Sequence, residues 1–137
     1  MDPTPALYAV ALYTALSGIV FLALMINAGR VRGKVGVSIG DGGDPALIRA
    51  MRGQANFVEN VPITLLLILL MALLGAPAWL VHLFGIALVV GRVLHGWHFI
   101  QQDAPAWQRA GGAMLTFFAQ VALILGLIGH AVVGMTG

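Results

Sequence analysis

The feature that most constrains this chain is a long run without a charged side chain, from Asn60 to Gly91. A helix crosses the hydrocarbon core of a bilayer with about 20 residues, so the run is too long for a single crossing. It is interrupted by Gly75-Ala76-Pro77, a sequence typical of a break between helices. The run therefore predicts two membrane-spanning helices joined by a tight turn.

Two further uncharged segments, residues 6–28 and 111–133, flank this pair. A chain of 137 residues that is 60% hydrophobic and 9% charged is too apolar for a soluble domain of this size. The sequence predicts an all-α integral membrane protein, with one domain folded as an up-down bundle of four transmembrane helices. The expected helices cover about residues 6–28, 45–74, 77–101 and 110–133.

The second helix has a recognisable start and an internal proline. Asp44 is the expected N-cap, and Pro45 suits the first helical position. Pro62 removes one backbone hydrogen bond and predicts a kink, which would open room for a ligand. The alternative is an ordinary membrane-helix proline, tolerated because neighbouring helices satisfy the freed backbone.

Basic residues are distributed unevenly along the predicted topology. The turn at 75–77 and both termini contain no Lys or Arg, whereas the first and third connections and their flanks contain Arg30, Arg32, Lys34, Arg49, Arg52 and Arg109. The positive-inside rule places those two connections in the cytoplasm and both termini outside. The net charge of +2 comes from these membrane ends, so no nucleic-acid partner is expected.

A polar stripe enters the second helix from its charged end. Arg49, Arg52, Asn56 and Glu59 are spaced i, i+3, i+7 and i+10 and share one helix face. Glu59 is the one acid expected at membrane depth, where a carboxylate is costly and marks a functional site with a partner. Arg92 falls at a similar depth, about 13–14 Å from the same side. We therefore predict a Glu59–Arg92 ion pair, which either belongs to a site or only fixes helix register.

The third helix adds Arg92, His95 and Phe99 on one face. With the basic residues of the connections, they predict a cationic mouth that surrounds one acid. Such a site suits a ligand with several carboxylates and one ammonium, because arginine binds carboxylates bidentately and Glu59 would meet the ammonium. The alternative is charge that sets topology and binds no ligand.

Histidines leave two minor alternatives. His95 and His98 have helical spacing, but Glu59 is the one further ligand in view, so no metal site is predicted. His82 and His130 would suit a bis-histidine haem within a four-helix bundle, although single interfacial histidines are commoner. The chain has no cysteine, which excludes thiolate zinc sites and iron–sulfur clusters.

The polar residues form a pattern that resembles a known family. The pattern consists of Arg52, Asn56, Glu59, Asn60 and Pro62, then Gly91-Arg92-x-x-His95, then Arg109, on four short helices. It resembles the MAPEG family, the membrane-associated proteins in eicosanoid and glutathione metabolism. Residues 37–45, followed by Asn56-Phe57-Val58-Glu59, look most like its small bacterial branch.

The resemblance implies a homotrimer in a bacterial inner membrane, with glutathione as co-substrate bound between subunits on the cytoplasmic side. It implies that the tripeptide is held by Arg52, Asn56, Glu59, Arg92 and His95, and by Arg32 of the neighbouring subunit. Arg109 would be the catalytic residue, because a nearby cation lowers the pKa of a thiol and so favours the thiolate nucleophile. The implied function is a glutathione-dependent transferase or peroxidase acting on hydrophobic electrophiles that arrive from the lipid.

The sequence also departs from the family pattern. Ala55 stands where several active members have arginine, and Phe99 and Ala113 fall near two positions where they have tyrosine. The family includes a member that binds lipid without being an enzyme. A non-enzymatic lipid- or partner-binding protein on the same scaffold is therefore the second hypothesis, and a haem-binding bundle is the third.

Overall fold

The computed structural model describes residues 4–137; the N-terminal residues 1–3, with Asp2, lie outside that part. The described residues form four α-helices: α1 (Thr4–Val35), α2 (Pro45–Leu73), α3 (Ala78–Ile100) and α4 (Ala106–Thr136). All four are long and apolar enough to cross a membrane. The predicted all-α, four-helix membrane architecture is confirmed.

The bounds of α2 and α3 agree with the sequence prediction to within one residue at each end. The start of α2 also has the predicted chemistry. The Asp44 side chain accepts a hydrogen bond of 2.9 Å from the Leu47 backbone N–H, and Pro45 occupies the first turn, where no backbone donor is needed. Pro62 lies inside α2, which continues through it to Leu73.

The other two helices are longer than predicted. α1 continues past residue 28 through Arg30, Arg32 and Lys34, because arginine and lysine are good helix formers and charge ends the apolar run rather than the helix. Gly36, with φ of 75°, then terminates α1. α4 begins directly after Pro105, so Arg109 lies in its first turn and not, as expected, in the preceding connection.

The four helices form a closed ring in which α2 and α3 also pack on each other across the middle. α1 packs on α2 and α3, α3 packs on α4, and α2 has a smaller interface with α4. Within the described residues, α1 and α4 share no interface. Close packing of α1 on α3 depends on Gly85, because a side chain there would overlap the ring of Tyr13. The Tyr13 hydroxyl lies 2.9 Å from His82 Nδ1 in the same interface.

α4 contacts the rest of the chain through one narrow stripe. Its buried residues are Gly112, Thr116, Ala119 and Leu123, spaced four, three and four apart. At the first of them, the backbones of α3 and α4 approach closely. A Cβ atom on Gly112 would lie against the Gly91 carbonyl oxygen and 2.7 Å from the His95 backbone nitrogen. The first turns of α4 are therefore fixed on α3 by a contact that only glycine allows.

Replacing Gly112 with alanine is expected to lower the free energy of unfolding by about 1–3 kcal/mol, because the added methyl forces the two backbones apart. The matched control is Gly111→Ala, since a Cβ there meets nothing within 4 Å. The control is expected to be neutral or slightly stabilising, because alanine is the better helix former. Thermal unfolding in detergent, followed by circular dichroism, compares the two; equal midpoints would contradict the close approach.

Candidate functional site

The centre of the polar region is Arg92 on α3, whose side chain is 2% exposed. Its guanidinium donates from Nη1 to Asn56 Oδ1 at 2.9 Å, from Nε to Thr116 Oγ1 at 3.0 Å and from Nη2 to the Gly112 carbonyl at 3.1 Å. One side chain therefore joins α2, α3 and α4. All three acceptors are neutral oxygens.

The predicted Glu59–Arg92 ion pair is not formed, and this prediction was wrong. Glu59 instead lies 3.8 Å from Arg52, with the two side chains 55% and 59% exposed. Depth along a helix can be counted from the sequence, but rotation about its axis cannot be fixed that way. The rotation of α2 about its axis points Asn56 towards α3. Glu59 and Arg52 lie together on the outer surface of the bundle.

Arg49, the first residue of the polar stripe, holds the end of α3. Its guanidinium donates to the Gln101 carbonyl at 3.1 and 3.3 Å and to the His98 carbonyl. It also lies 5.5 Å from the centre of the Phe99 ring. These carbonyls have no acceptor role inside the helix, so Arg49 acts as a cationic cap for the C-terminal end of α3.

Arg32 is bound within its own chain. Its Nη1 donates to the Val37 carbonyl at 3.1 Å and the Gly40 carbonyl at 2.8 Å, and its Nη2 contacts Met51 Sδ at 3.5 Å. This side chain therefore organises the connection between α1 and α2. Its predicted place in a neighbour's ligand site stays a prediction.

His95 is buried beside Arg92, and its ring packs on Phe99 with 5.0 Å between centroids. Arg109, in the first turn of α4, is near enough to interact electrostatically with His95. Among the predicted site residues, three have exposed side chains: Arg52, Glu59 and Arg109. Charged side chains at membrane depth normally face protein or a water-filled cavity rather than lipid. The exposed set therefore marks a surface that needs a partner or water.

The remaining histidines do not converge. His98 Nδ1 lies 3.1 Å from the Pro105 carbonyl. His82 is engaged with Tyr13 between α1 and α3, whereas His130 faces a crevice between α4 and the α2–α3 turn. The two histidines of the haem hypothesis thus lie in different helix interfaces. Within residues 4–137, no three metal-ligating side chains are grouped together.

Sequence analysis missed a second polar layer, one turn deeper. Gln120 donates to Thr64 Oγ1 at 2.7 Å and to the Asn60 carbonyl at 3.2 Å, and Asn60 donates to the Asn56 carbonyl at 2.8 Å. Gln120 therefore connects α4 to α2, one turn beyond the Thr116 hydroxyl that connects α4 to Arg92 of α3. The available signal was the i, i+4 spacing of Thr116 and Gln120 on an otherwise apolar part of α4.

Removing the Thr116 hydroxyl tests the Arg92 network. Thr116→Val keeps the side-chain shape but leaves a buried guanidinium donor without its acceptor, so we expect a loss of about 1–3 kcal/mol in unfolding free energy. The matched control is Thr14→Val, because Thr14 is exposed and bonds only the Val10 carbonyl one turn away. Both variants are compared by thermal unfolding. Equal effects would mean that Arg92 does not depend on Thr116.

The comparisons with known proteins agree with this arrangement of four helices. The MAPEG family model matches residues 10–129. The chain is 38% identical over 101 residues to the inner membrane protein YecN of Escherichia coli K12, covering 74% of this chain and 76% of YecN. It is 31% identical over 119 residues to the uncharacterized protein sll1147 of Synechocystis, covering 86% of this chain and 84% of that protein. On this evidence of shared sequence along most of its length, the chain belongs to the MAPEG family.

Proposed function

We propose that this protein is a glutathione-dependent transferase or peroxidase of the bacterial inner membrane, acting as a homotrimer on hydrophobic electrophiles. The observation that carries the proposal is the Arg52–Glu59 pair on the outer surface of the four-helix unit. A lipid-facing carboxylate is costly, so a neighbouring subunit and a polar ligand are its natural cover. The relative YecN is named an inner membrane protein, which supports the proposed location in the inner membrane. The positive-inside rule supports a site that opens to the cytoplasm.

The exposed pair matches one end of glutathione. The γ-glutamyl end of the tripeptide carries an ammonium and a carboxylate on the same carbon. Glu59 and Arg52, 3.8 Å apart, offer the opposite charge for each. Both side chains are more than half exposed and keep unused hydrogen-bonding capacity. In this proposal Arg52 and Glu59 contact the ligand directly, and Arg92, which the sequence placed beside Glu59, does not.

The buried residues have a different role in the proposal. Arg92 donates hydrogen bonds to Asn56, Thr116 and the Gly112 carbonyl. It therefore fixes the positions from which α2 and α4 present their exposed side chains. Asn56 and His95 keep the places near the ligand that the family resemblance implies. Arg32 is bonded to the carbonyls of residues 37 and 40, so in a trimer it would bring that whole connection towards the neighbour's site.

Arg109 is the proposed catalytic residue. It lies in the first turn of α4, where the helix dipole adds to its own positive charge. Both favour the thiolate of glutathione over the thiol, which releases its proton to water, and the thiolate is the nucleophile. The sulfur then forms a bond to the electrophilic carbon of the acceptor, whose leaving group departs with the bonding electrons. The close contact between Gly112 and α3 holds this turn in place.

A lipid- or partner-binding protein without catalysis is the second candidate. Phe99, near one tyrosine position of the family, packs between Arg49 and His95 and has no hydroxyl. Ala113, near the other, also has none. Two groups able to donate a hydrogen bond to glutathione are thus replaced by apolar ones, which favours this alternative over efficient catalysis.

Glutathione binding is measured first, by calorimetry on the detergent-purified protein. We expect Glu59→Gln to weaken binding about tenfold or more, because it removes the charged partner of the ligand ammonium. Asp103→Asn, which removes an acid from the connection before α4, is the control and should bind like wild type. Binding that is absent in a folded wild type, or identical in the Glu59 variant, would overturn the proposed ligand site.

Turnover then separates the two candidates. Arg109→Ala is expected to lower the rate of conjugation to a chloronitrobenzene electrophile about 100-fold, as loss of one charge-stabilising group typically does. Arg30→Ala, an exposed arginine at the same end of the bundle, is the control. Light scattering checks that the assembly is unchanged. Unaltered turnover in the Arg109 variant would contradict its role, and a wild type that binds glutathione but conjugates nothing would favour the non-enzymatic candidate.

A further inference from the structure

At the end of the bundle away from the charged residues, α4 separates from the α2–α3 hairpin. Leu123 is its last buried residue, and beyond it nearly every side chain of α4 is exposed. The separation leaves a cavity of about 480 Å³, which we call the turn crevice. Its walls include Met71, Phe84, Leu123, Gly126, Leu127 and His130, and the turn at residues 74–77 closes one end.

The turn crevice is separate from the proposed glutathione site. Leu123, at its inner end, lies about 21 Å along α4 from Arg109, and His130 lies about 31 Å from it. A molecule in the crevice cannot reach a thiolate held at Arg109. The crevice is therefore not the place where an acceptor substrate would react, and it needs an occupant of its own.

The chemistry of the walls indicates what that occupant is. The lining is apolar except for His130 and the backbone of the turn, and its volume falls within the range of about 300–1,000 Å³ typical of small-molecule sites. Trp79, exposed in the first turn of α3, suits the membrane interface, so the crevice runs from the interface into the hydrocarbon. No Lys or Arg lies at this end of the chain to receive a phosphate.

A helix of a second copy fits the space less well than a single hydrocarbon chain does. A helix would cover the groove from outside with its side chains, whereas a single hydrocarbon chain can enter the space of about 480 Å³ between α4 and the α2–α3 hairpin. We propose that the turn crevice binds a free fatty acid, with its hydrocarbon chain between α4 and the α2–α3 hairpin. Its carboxyl group then lies at His130, which supplies the hydrogen bond.

The experiment uses a fatty acid with a photoactivatable diazirine in its chain, added to the protein in lipid nanodiscs and mapped by mass spectrometry. Wild type is expected to be labelled on peptides that contain the crevice walls on α2, α3 and α4. Excess unlabelled fatty acid should remove this labelling. Because the nanodiscs supply phospholipid in excess, labelling of the crevice that appears in detergent but not in nanodiscs would show that lipid chains in general fill it, and the proposal of a free fatty acid would fail.

Two leucine substitutions give a matched pair. Gly126 lines the crevice and Gly129 does not, and in both a Cβ would meet nothing within 4 Å. Gly126→Leu should fill the space and abolish crevice labelling, and Gly129→Leu should leave it unchanged. Ala122→Leu, also in the lining, repeats the test if the first variant is unstable. His130→Phe should keep the apolar walls and reduce labelling.

Several outcomes would overturn the proposal. Labelling spread evenly over exposed apolar side chains, or equal in the Gly126 and Gly129 variants, would show that the crevice is not a binding site. An unlabelled crevice together with a change of oligomer size in Gly126→Leu would show that a second copy occupies it. Glutathione binding is expected to be normal in all four variants, so this test is independent of the proposed enzyme site.

Discussion

A guanidinium inside a membrane-spanning helix has to be surrounded by hydrogen-bond acceptors, because lipid supplies none. Arg92 meets this requirement with an amide oxygen from α2, and a hydroxyl and a main-chain carbonyl from α4. Each acceptor comes from a helix that must lie at a definite height and rotation to deliver it. The glycine contact between α3 and α4 is what brings the carbonyl of Gly112 within reach. The positions of α2 and α4 relative to α3 therefore depend on satisfying one buried charge.

The arginines for which the sequence predicted one cationic mouth have two distinct roles. Arg49 and Arg32 donate to carbonyls at a helix end and in a connection, and Arg92 binds neutral groups in the interior. These three serve the fold. Arg52 and Arg109 remain exposed, and Glu59 is exposed beside the first of them. Of the residues assigned to the site from the sequence, a ligand that arrives from water meets this second group first, and the proposed function rests on it.

Sequence analysis located most of the helices because their signals are local. Asp44 followed by Pro45 specifies a helix start by capping chemistry, and Gly75-Ala76-Pro77 specifies a break. The C-terminal end of α1 and the N-terminal end of α4 were placed too far inside, because arginine and lysine stop an apolar run without stopping a helix. Composition shows where the hydrocarbon ends, and in α1 the backbone helix continues to Val35.

The site was harder to predict, since it depends on rotation and on partners distant in sequence. The count of residues from the membrane end gave Glu59 and Arg92 similar depths, yet the two side chains leave their helices in different directions. Asn56, one turn earlier, took the position beside Arg92. Thr116 carries no charge and gave no reason to expect that it would bond a buried arginine. The bonds of Asn56 and Thr116 to Arg92 both depend on how three helices pack together, and the sequence of one helix alone does not determine that packing.

The length of α1 has a consequence for how two reactants of opposite solubility would meet. Its 32 residues extend about 48 Å, while the hydrocarbon of a bilayer is about 30 Å thick. α4, with 31 residues, is nearly as long. Part of each helix must overhang into the headgroup layer, and the arginines of α1 are in that overhang. In the proposed reaction, a tripeptide dissolved in water would reach the protein without entering the hydrocarbon, and an apolar electrophile would approach without leaving it. At the level of this overhang, water and the bilayer hydrocarbon both contact the same protein surface.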